Sequence, residues 1–400
     1  MITGTRQLSA RIDAARGLCL AVAVACALMA IVVLNAGAAR AANAFGSQGS
    51  AAGQMSEPNG IAIDQGSGDV YVLDTNNERV DKFTAEGKFL LAWGWGVANG
   101  AAALQTCTAA TGCNAGSAGA GAGQLRFSEG LAVDNDPQSP SHHDVYVIDI
   151  ENYRVQKFSP TGQFLLTFGG HVNITAHERS ETSGEDVCPV RPGDVCGSGS
   201  EGPADDEFEF KVEGNFIAVG ATGIVYVGDY NRVQEFSPSG AYLAQVTLRP
   251  KLEDQGEDGG TIALAVNSLG DLYTIRNGIS GIQEYSPQGE LLQTLNEEAR
   301  AENNESPTPA LTLDPDGHVF VDYHDNEQHR VLEYEPNGAE VASFDEGEPD
   351  GLHGLAYGDS AGKLYIVSAA SATPIRTVTP PPLRNPLFTS FEILPWLLGP

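Results

Sequence analysis

One short pattern returns in strict order, and it constrains this chain more than any other feature. The first copy reads Pro58-Asn-Gly-Ile-Ala-Ile-Asp64, then Asp69-Val-Tyr-Val-Leu-Asp74, Asn77, Arg79-Val-Asp-Lys-Phe83 and Gly87. The second reads Glu129-Gly-Leu-Ala-Val-Asp134, Asp144-Val-Tyr-Val-Ile-Asp149, Asn152, Arg154-Val-Gln-Lys-Phe158 and Gly162. The third reads Phe216-Ile-Ala-Val219, Ile224-Val-Tyr-Val-Gly-Asp229, Asn231, Arg232-Val-Gln-Glu-Phe236 and Gly240. Three degenerate copies follow: Ala263-Leu-Ala-Val266 with Leu272, Tyr273 and Tyr285; Leu311-Thr-Leu-Asp314 with Val319, Phe320 and Tyr334; and Leu355-Ala-Tyr357 with Leu364 and Tyr365. An aromatic marks the same place in every unit, at 71, 146, 226, 273, 320 and 365. The last three steps are 47, 47 and 45 residues, whereas the first two stretch to 75 and 80 and therefore contain insertions.

Each unit is a series of short β-rich runs separated by Gly, Asp, Asn and Pro, the pattern of strands joined by tight turns. A single unit exposes two apolar faces and cannot stand alone, so the units must stack in series or close a ring. Six units of forty-odd residues with four strands each predict an all-β, six-bladed β-propeller. The quoted segments resemble NHL repeats, closely in the first three units and loosely in the last three, over about 58–379. The resemblance implies a six-bladed propeller, a fold used by binding modules and by some lyases and lactonases, and fold alone does not choose among them.

The ends and the insertions differ in composition from the repeats. Arg6, Arg11 and Arg16 precede an apolar run from Gly17 to Leu34, followed by two small-x-small cleavage motifs, Ala39-Arg40-Ala41 and Ala42-Asn43-Ala44. Residues 1–44 therefore read as a secretory signal peptide, with an uncleaved anchor as the rival, and 45–379 as the propeller. The insertions fall at about 97–124, rich in Gly, Ala, Ser and Thr, and at 170–207, richer in acids such as Glu181, Glu185, Asp186, Glu201, Asp205 and Asp206. The Pro-rich apolar tail, 380–400, is too short and Pro-broken to span a membrane; it either adds a closing outer strand or begins a further region. Four cysteines remain beyond the leader, in two close pairs, Cys107 with Cys113 and Cys188 with Cys196. Export to an oxidising compartment predicts two local disulfides, and the missing C-x2-C spacing argues against a four-cysteine zinc site.

Charge narrows the partners. The chain carries 52 acidic and 22 basic residues, a net charge of −30. Removing residues 1–44 takes four arginines and one aspartate with it and leaves 51 acidic against 18 basic, or −33. Nucleic acid and anionic membrane surfaces are repelled at long range, and no stable membrane insertion is expected once the leader is cut.

Candidate site residues fall into two groups. Asp74, Asn77 and Arg79 recur as Asp149, Asn152 and Arg154 and as Asp229, Asn231 and Arg232. A constellation repeated blade by blade reads as structural, with Asp and Asn shaping the turn and Arg paired to Asp. The Asp134-Asn135-Asp136 stretch and the Asp316-Gly317 turn lack the pattern of a calcium loop and read as turn chemistry. The second group sits two residues ahead of the inner-strand apolar runs: Asn59, Glu129, Asn215, Ile262, Pro309 and His353. If the ring forms, these surround one end of the central channel, and Asn59, Glu129, Asn215 and His353 are ligand candidates there. The similar amidating lyases place zinc-binding histidines on several blades at such positions; this chain supplies only His353, with Glu129 as a second donor. Asn173-Ile-Thr175 matches the short glycosylation pattern.

No G-x-S-x-G, H-E-x-x-H or P-loop motif occurs. The sequence thus reads as a secreted or cell-surface, monomeric binding or scaffold propeller for a protein, peptide or glycan, without a cofactor. The alternative is a lyase- or lactonase-like propeller enzyme with calcium or zinc in the channel.

Overall fold

The computed structural model describes residues 43–181, 184–210, 216–229, 232–249, 260–276, 279–300, 310–325, 328–345, 353–359, 362–368 and 371–380. All of these fall within one unit, Asn43–Pro400. The residues assigned to the leader up to 42, together with Asn215, Asn231, Pro309 and the tail from 381, lie outside the described residues.

Six antiparallel sheets follow the six repeats, with their strands in sequence order from the inside outward in every blade except at the outer edge of the sixth. The inner strands are Pro58–Ile63, Ser128–Val133, Ile217–Val219, Thr261–Val266, Leu311–Leu313 and Gly354–Gly358. Each touches the inner strand before and after it, and the last touches the first, so the blades close a ring. This is the all-β six-bladed propeller that the repeat predicts. The marker aromatics Tyr71, Tyr146, Tyr226, Tyr273, Phe320 and Tyr365 are all buried in second strands.

The core lies between blades rather than at one centre. Tyr71, Leu73, Val80 and Trp93 of the first blade pack on Leu131, Val133, Val145, Val147 and Phe158 of the second. The Trp93 ring sits 6.0 Å from Tyr71 and 5.9 Å from Phe158. Alternation along each strand sends one set of side chains into each of two such seams, which is why an isolated unit has no stable form.

Two features exceed the four-stranded plan. Leu104–Cys107 and Val187–Cys188, one from each insertion, add a fifth strand to the outer edge of the first and second blades. In the sixth blade the outer position is filled from the start of the chain: Asn43, Ala44 and Phe45 pair with Thr377, Arg376 and Ile375. Phe45 also reaches the first blade, 5.3 Å from Phe83. The closing strand therefore comes from Asn43–Phe45, two residues of which the sequence-based boundary leaves with the leader; the tail, read as an alternative source, lies outside the described residues from 381 on.

Candidate functional site

Strand direction decides which loops share a face. In an antiparallel blade the start of the first strand, the end of the second, the start of the third and the end of the fourth meet at one end. In the first blade these are Pro58, paired with Asp74; Asp74, paired with Arg79; and Arg79, paired with Gly94. The second blade repeats the arrangement with Ser128, Asp149 and Arg154. Both insertions leave from the ends of fourth strands, after Trp95 and Phe168. The insertions, the repeated Asp/Asn/Arg positions and the start of every inner strand consequently lie on a single face.

On that face the repeated residues act as clamps. Arg79 is fully buried, with Nε 3.0 Å from Asp74 Oδ2, and its guanidinium donates to the carbonyls of Ser50, Gln54 and Asn114. Arg154 pairs with Asp149 at 2.8 Å and donates to Ala120, Gly121, Gln124 and Gly197. Arg232 pairs with Asp229 and donates to the carbonyls of Gly202, Pro203 and Glu207. The aspartates complete the grip by accepting backbone N–H bonds from Ser56, Arg126 and Glu209, the residues entering each blade. Asn77 and Asn152 donate to Asp74 and Asp149, while their backbone carbonyls accept from Gly116 and Gly199 of the insertions. A planar, always-charged fork suits this work because it can satisfy several carbonyls at once.

Each insertion is further closed by its own bridge. Both expected disulfides are formed, Cys107–Cys113 and Cys188–Cys196. The first packs with Ala92 and Val97, the second with Val172, Ala122 and Phe164. A Gly- and Ser-rich loop of this length has little core of its own, so its order comes from these clips and from the arginine clamps. Asn173 of the sequon is buried. It caps the short helix Ile174–Glu178 by accepting from Ala176 N–H, and its amide donates to Gly184, Val187 and Asp194, so its nitrogen is engaged within the fold.

The channel-mouth positions come out as follows. Asn59 and Glu129 are the second residues of adjacent inner strands, the first half-buried and the second buried, and His353 immediately precedes the inner strand of the sixth blade, on the other side of Asn59. Their backbones crowd together: a Cβ on Gly60 would lie 2.7 Å from the Glu129 carbonyl oxygen, and one on Gly354 would lie 2.3 Å from that of Asn59. Burial holds the His353 imidazole below its usual range, opposed by the nearby carboxylate of Glu57. Glu57, which the repeat alone does not single out, lies near the His353 ring. It and its counterpart Phe127 share a left-handed backbone, with φ of 46° at both. Among the described residues, neither Glu129 nor His353 joins a group of three His, Cys, Asp or Glu side chains close enough to share one ion.

On the opposite face the Asp134-Asn135-Asp136 stretch makes turn contacts. Asp134 accepts from Asp136 N–H and Ser139, and Asn135 bridges to Ile63 and Gln65 of the first blade. Asp314 accepts from the backbone N–H groups of Asp316 and His318 and bonds the His318 ring at 2.8 Å.

Comparison with known families fits this geometry. The NHL repeat model matches residues 55–83, running from just ahead of the inner strand to the third strand of the first blade. The first blade of this six-bladed propeller carries an NHL repeat. The chain is 49% identical over 45 residues to the B-box type zinc finger protein ncl-1 of Caenorhabditis elegans, a match covering 11% of this chain and 5% of that protein. Among solved structures, a gluconolactonase from Xanthomonas campestris aligns with a TM-score of 0.49 at 12% identity, covering 87% of this chain and 99% of that one. Virginiamycin B lyase from Staphylococcus aureus aligns with a TM-score of 0.46 at 10% identity, over 84% and 99% of the two chains.

Proposed function

We propose that this propeller is an extracytoplasmic binding module that presents its two clipped insertions, on the channel-mouth face, to a protein, peptide or glycan. One observation carries the reading: buried arginines and asparagines of the blades are bonded to insertion backbone, so the loops are held as fixed surfaces. Recognition commonly resides on loops positioned by a rigid scaffold. Two formed disulfides support an oxidising compartment. Among the described residues, Ile174, Val190 and Val195 of the second insertion are large aliphatics more than one-third exposed, which favours a protein or peptide partner over a glycan.

The test is a peptide and glycan array probed with the chain and with two variants in which each insertion is replaced by a short Gly-Ser loop. The expected result is a ligand lost in one loop variant whose melting temperature is otherwise retained. Turnover of a lactone or a cyclic peptide ester, abolished by Glu129→Gln and His353→Ala and unaffected by the loop variants, would instead establish the enzyme alternative.

A further inference from the structure

We propose that His171, His177 and Glu185 form a divalent-metal site on the second insertion, with a donor set suited to zinc. One donor atom from each of the three side chains lies within 4.8 Å of the other two. His177 Nδ1 is 3.1 Å from one Glu185 oxygen, His171 Nε2 is 3.9 Å from the other, and the two imidazoles lie 4.6 Å apart between ring centroids. Donors that share a tetrahedral zinc lie about 3.3 Å apart, so modest rotation of the two exposed rings closes the set.

A second observation concerns what stands behind the donors. The other ring nitrogen of His171, Nδ1, is 2.8 Å from Ser200 Oγ. With Nδ1–H donating to that hydroxyl, the lone pair is left on Nε2, the nitrogen that faces Glu185. An outer hydrogen bond of this type is what normally fixes a metal-binding imidazole. The backbone is set independently of any ion. The His171 N–H donates to Asp186 Oδ1 at 2.9 Å, the Asn173 N–H donates to the Glu185 carbonyl at 2.8 Å, and the Cys188–Cys196 bridge closes the loop behind them.

Charge points the same way. Residues 170–207 hold nine acidic and two basic side chains, and both arginines, Arg179 and Arg191, lean on Glu181. Asp186, Asp205, Glu207 and Glu185 itself crowd around Asp206, a field that a dication relieves. Two imidazoles with one carboxylate suit zinc, whereas calcium and magnesium require oxygen ligands. The Asp314, Asp316 and His318 group makes the contrast, because both Asp314 oxygens already serve its own turn.

The test titrates zinc chloride into the metal-free chain, purified with both disulfides formed, by calorimetry near neutral pH, with calcium chloride in parallel. The expected result is one zinc per chain, lost in His171→Ala and in His177→Ala, and weakened about tenfold by Ser200→Ala. Metal-free melting curves of His177→Ala, an exposed position, should overlay those of the parent; Glu185→Gln provides a second loss-of-binding variant should that one misfold. Absent saturable binding, equal uptake of calcium, or one zinc retained in the double histidine variant would each overturn the assignment. Stoichiometry is read without any partner, so the outcome is separate from that of the binding reading.

Discussion

Asp81 occupies the place that the next two blades give to Gln156 and Gln234, and the difference has a titratable consequence. Each glutamine amide donates to the clamp aspartate of its blade and to the carbonyl of an incoming loop residue, Gln124 or Glu207. In the first blade two carboxylates, Asp74 and Asp81, share the single Arg79 guanidinium. Burial pushes the Asp81 carboxyl well above its usual range against the pull of Arg79, and the proton is held toward Asp74. The sign follows: the folded state keeps a proton that the unfolded chain releases near pH 4, so stability falls as pH rises above that value. Asp81→Gln is expected to flatten this slope and raise the melting temperature at neutral pH. Melting temperatures measured between pH 4 and 8 for parent and variant check this, and the same slope in both would refute the shared-proton account. The clamps themselves were legible, because the Asp, Asn and Arg letters repeat. What they hold was not, since their partners are backbone carbonyls of insertions with no repeated letters.

At the level of elements, the strand Asn43–Phe45 is the least conspicuous in sequence and closes the ring. It is three residues long, merges into an Ala-rich stretch and shows no alternation from which a strand can be read. The repeats were legible for the opposite reason, as β-branched and aromatic runs at fixed spacing. Of the two small-x-small motifs, cleavage after Ala41 leaves this strand whole, whereas cleavage after Ala44 leaves only Phe45 of it. Mass spectrometry of the exported protein should therefore find Ala42 at the N-terminus; a chain beginning at Phe45 would count against the strand's role. Phe45→Ala should lower stability by about 2 kcal/mol, because it empties a ring-sized space in the seam between the last blade and the first. The disulfides act more locally. Converting Cys188 and Cys196 to serine releases a loop of sequence separation 8, costing about 2–3 kcal/mol of loop order. Limited proteolysis should then nick 170–207 while leaving the blades intact. The histidine cluster escaped sequence reading because His171, His177 and Glu185 meet only after a helical turn and a reversal, with no spacing of known metal motifs.

For the molecule as a whole, the width of the ring is set where inner strands touch. Gly60 and Gly354 are not needed for an unusual φ; they are needed because a neighbouring backbone carbonyl occupies the space of a side chain. Gly60→Ala should force the first and second blades apart at the mouth and cost about 1–3 kcal/mol, measured as a drop in denaturation midpoint. An unchanged midpoint would mean that the blades can slide without penalty.

The pairing of Asn43 with Thr377 also imposes an order in time. The first strand leaves the ribosome early and finds no partner until nearly the whole chain has followed, an interval on the order of 20–60 s at typical synthesis rates. Throughout that interval the first blade keeps one apolar flank bare and the early strand keeps an unpaired edge, the surfaces through which nascent chains stick to one another. A chaperone that shields the beginning of this protein until its end arrives would therefore raise yield more than any strengthening of the finished fold.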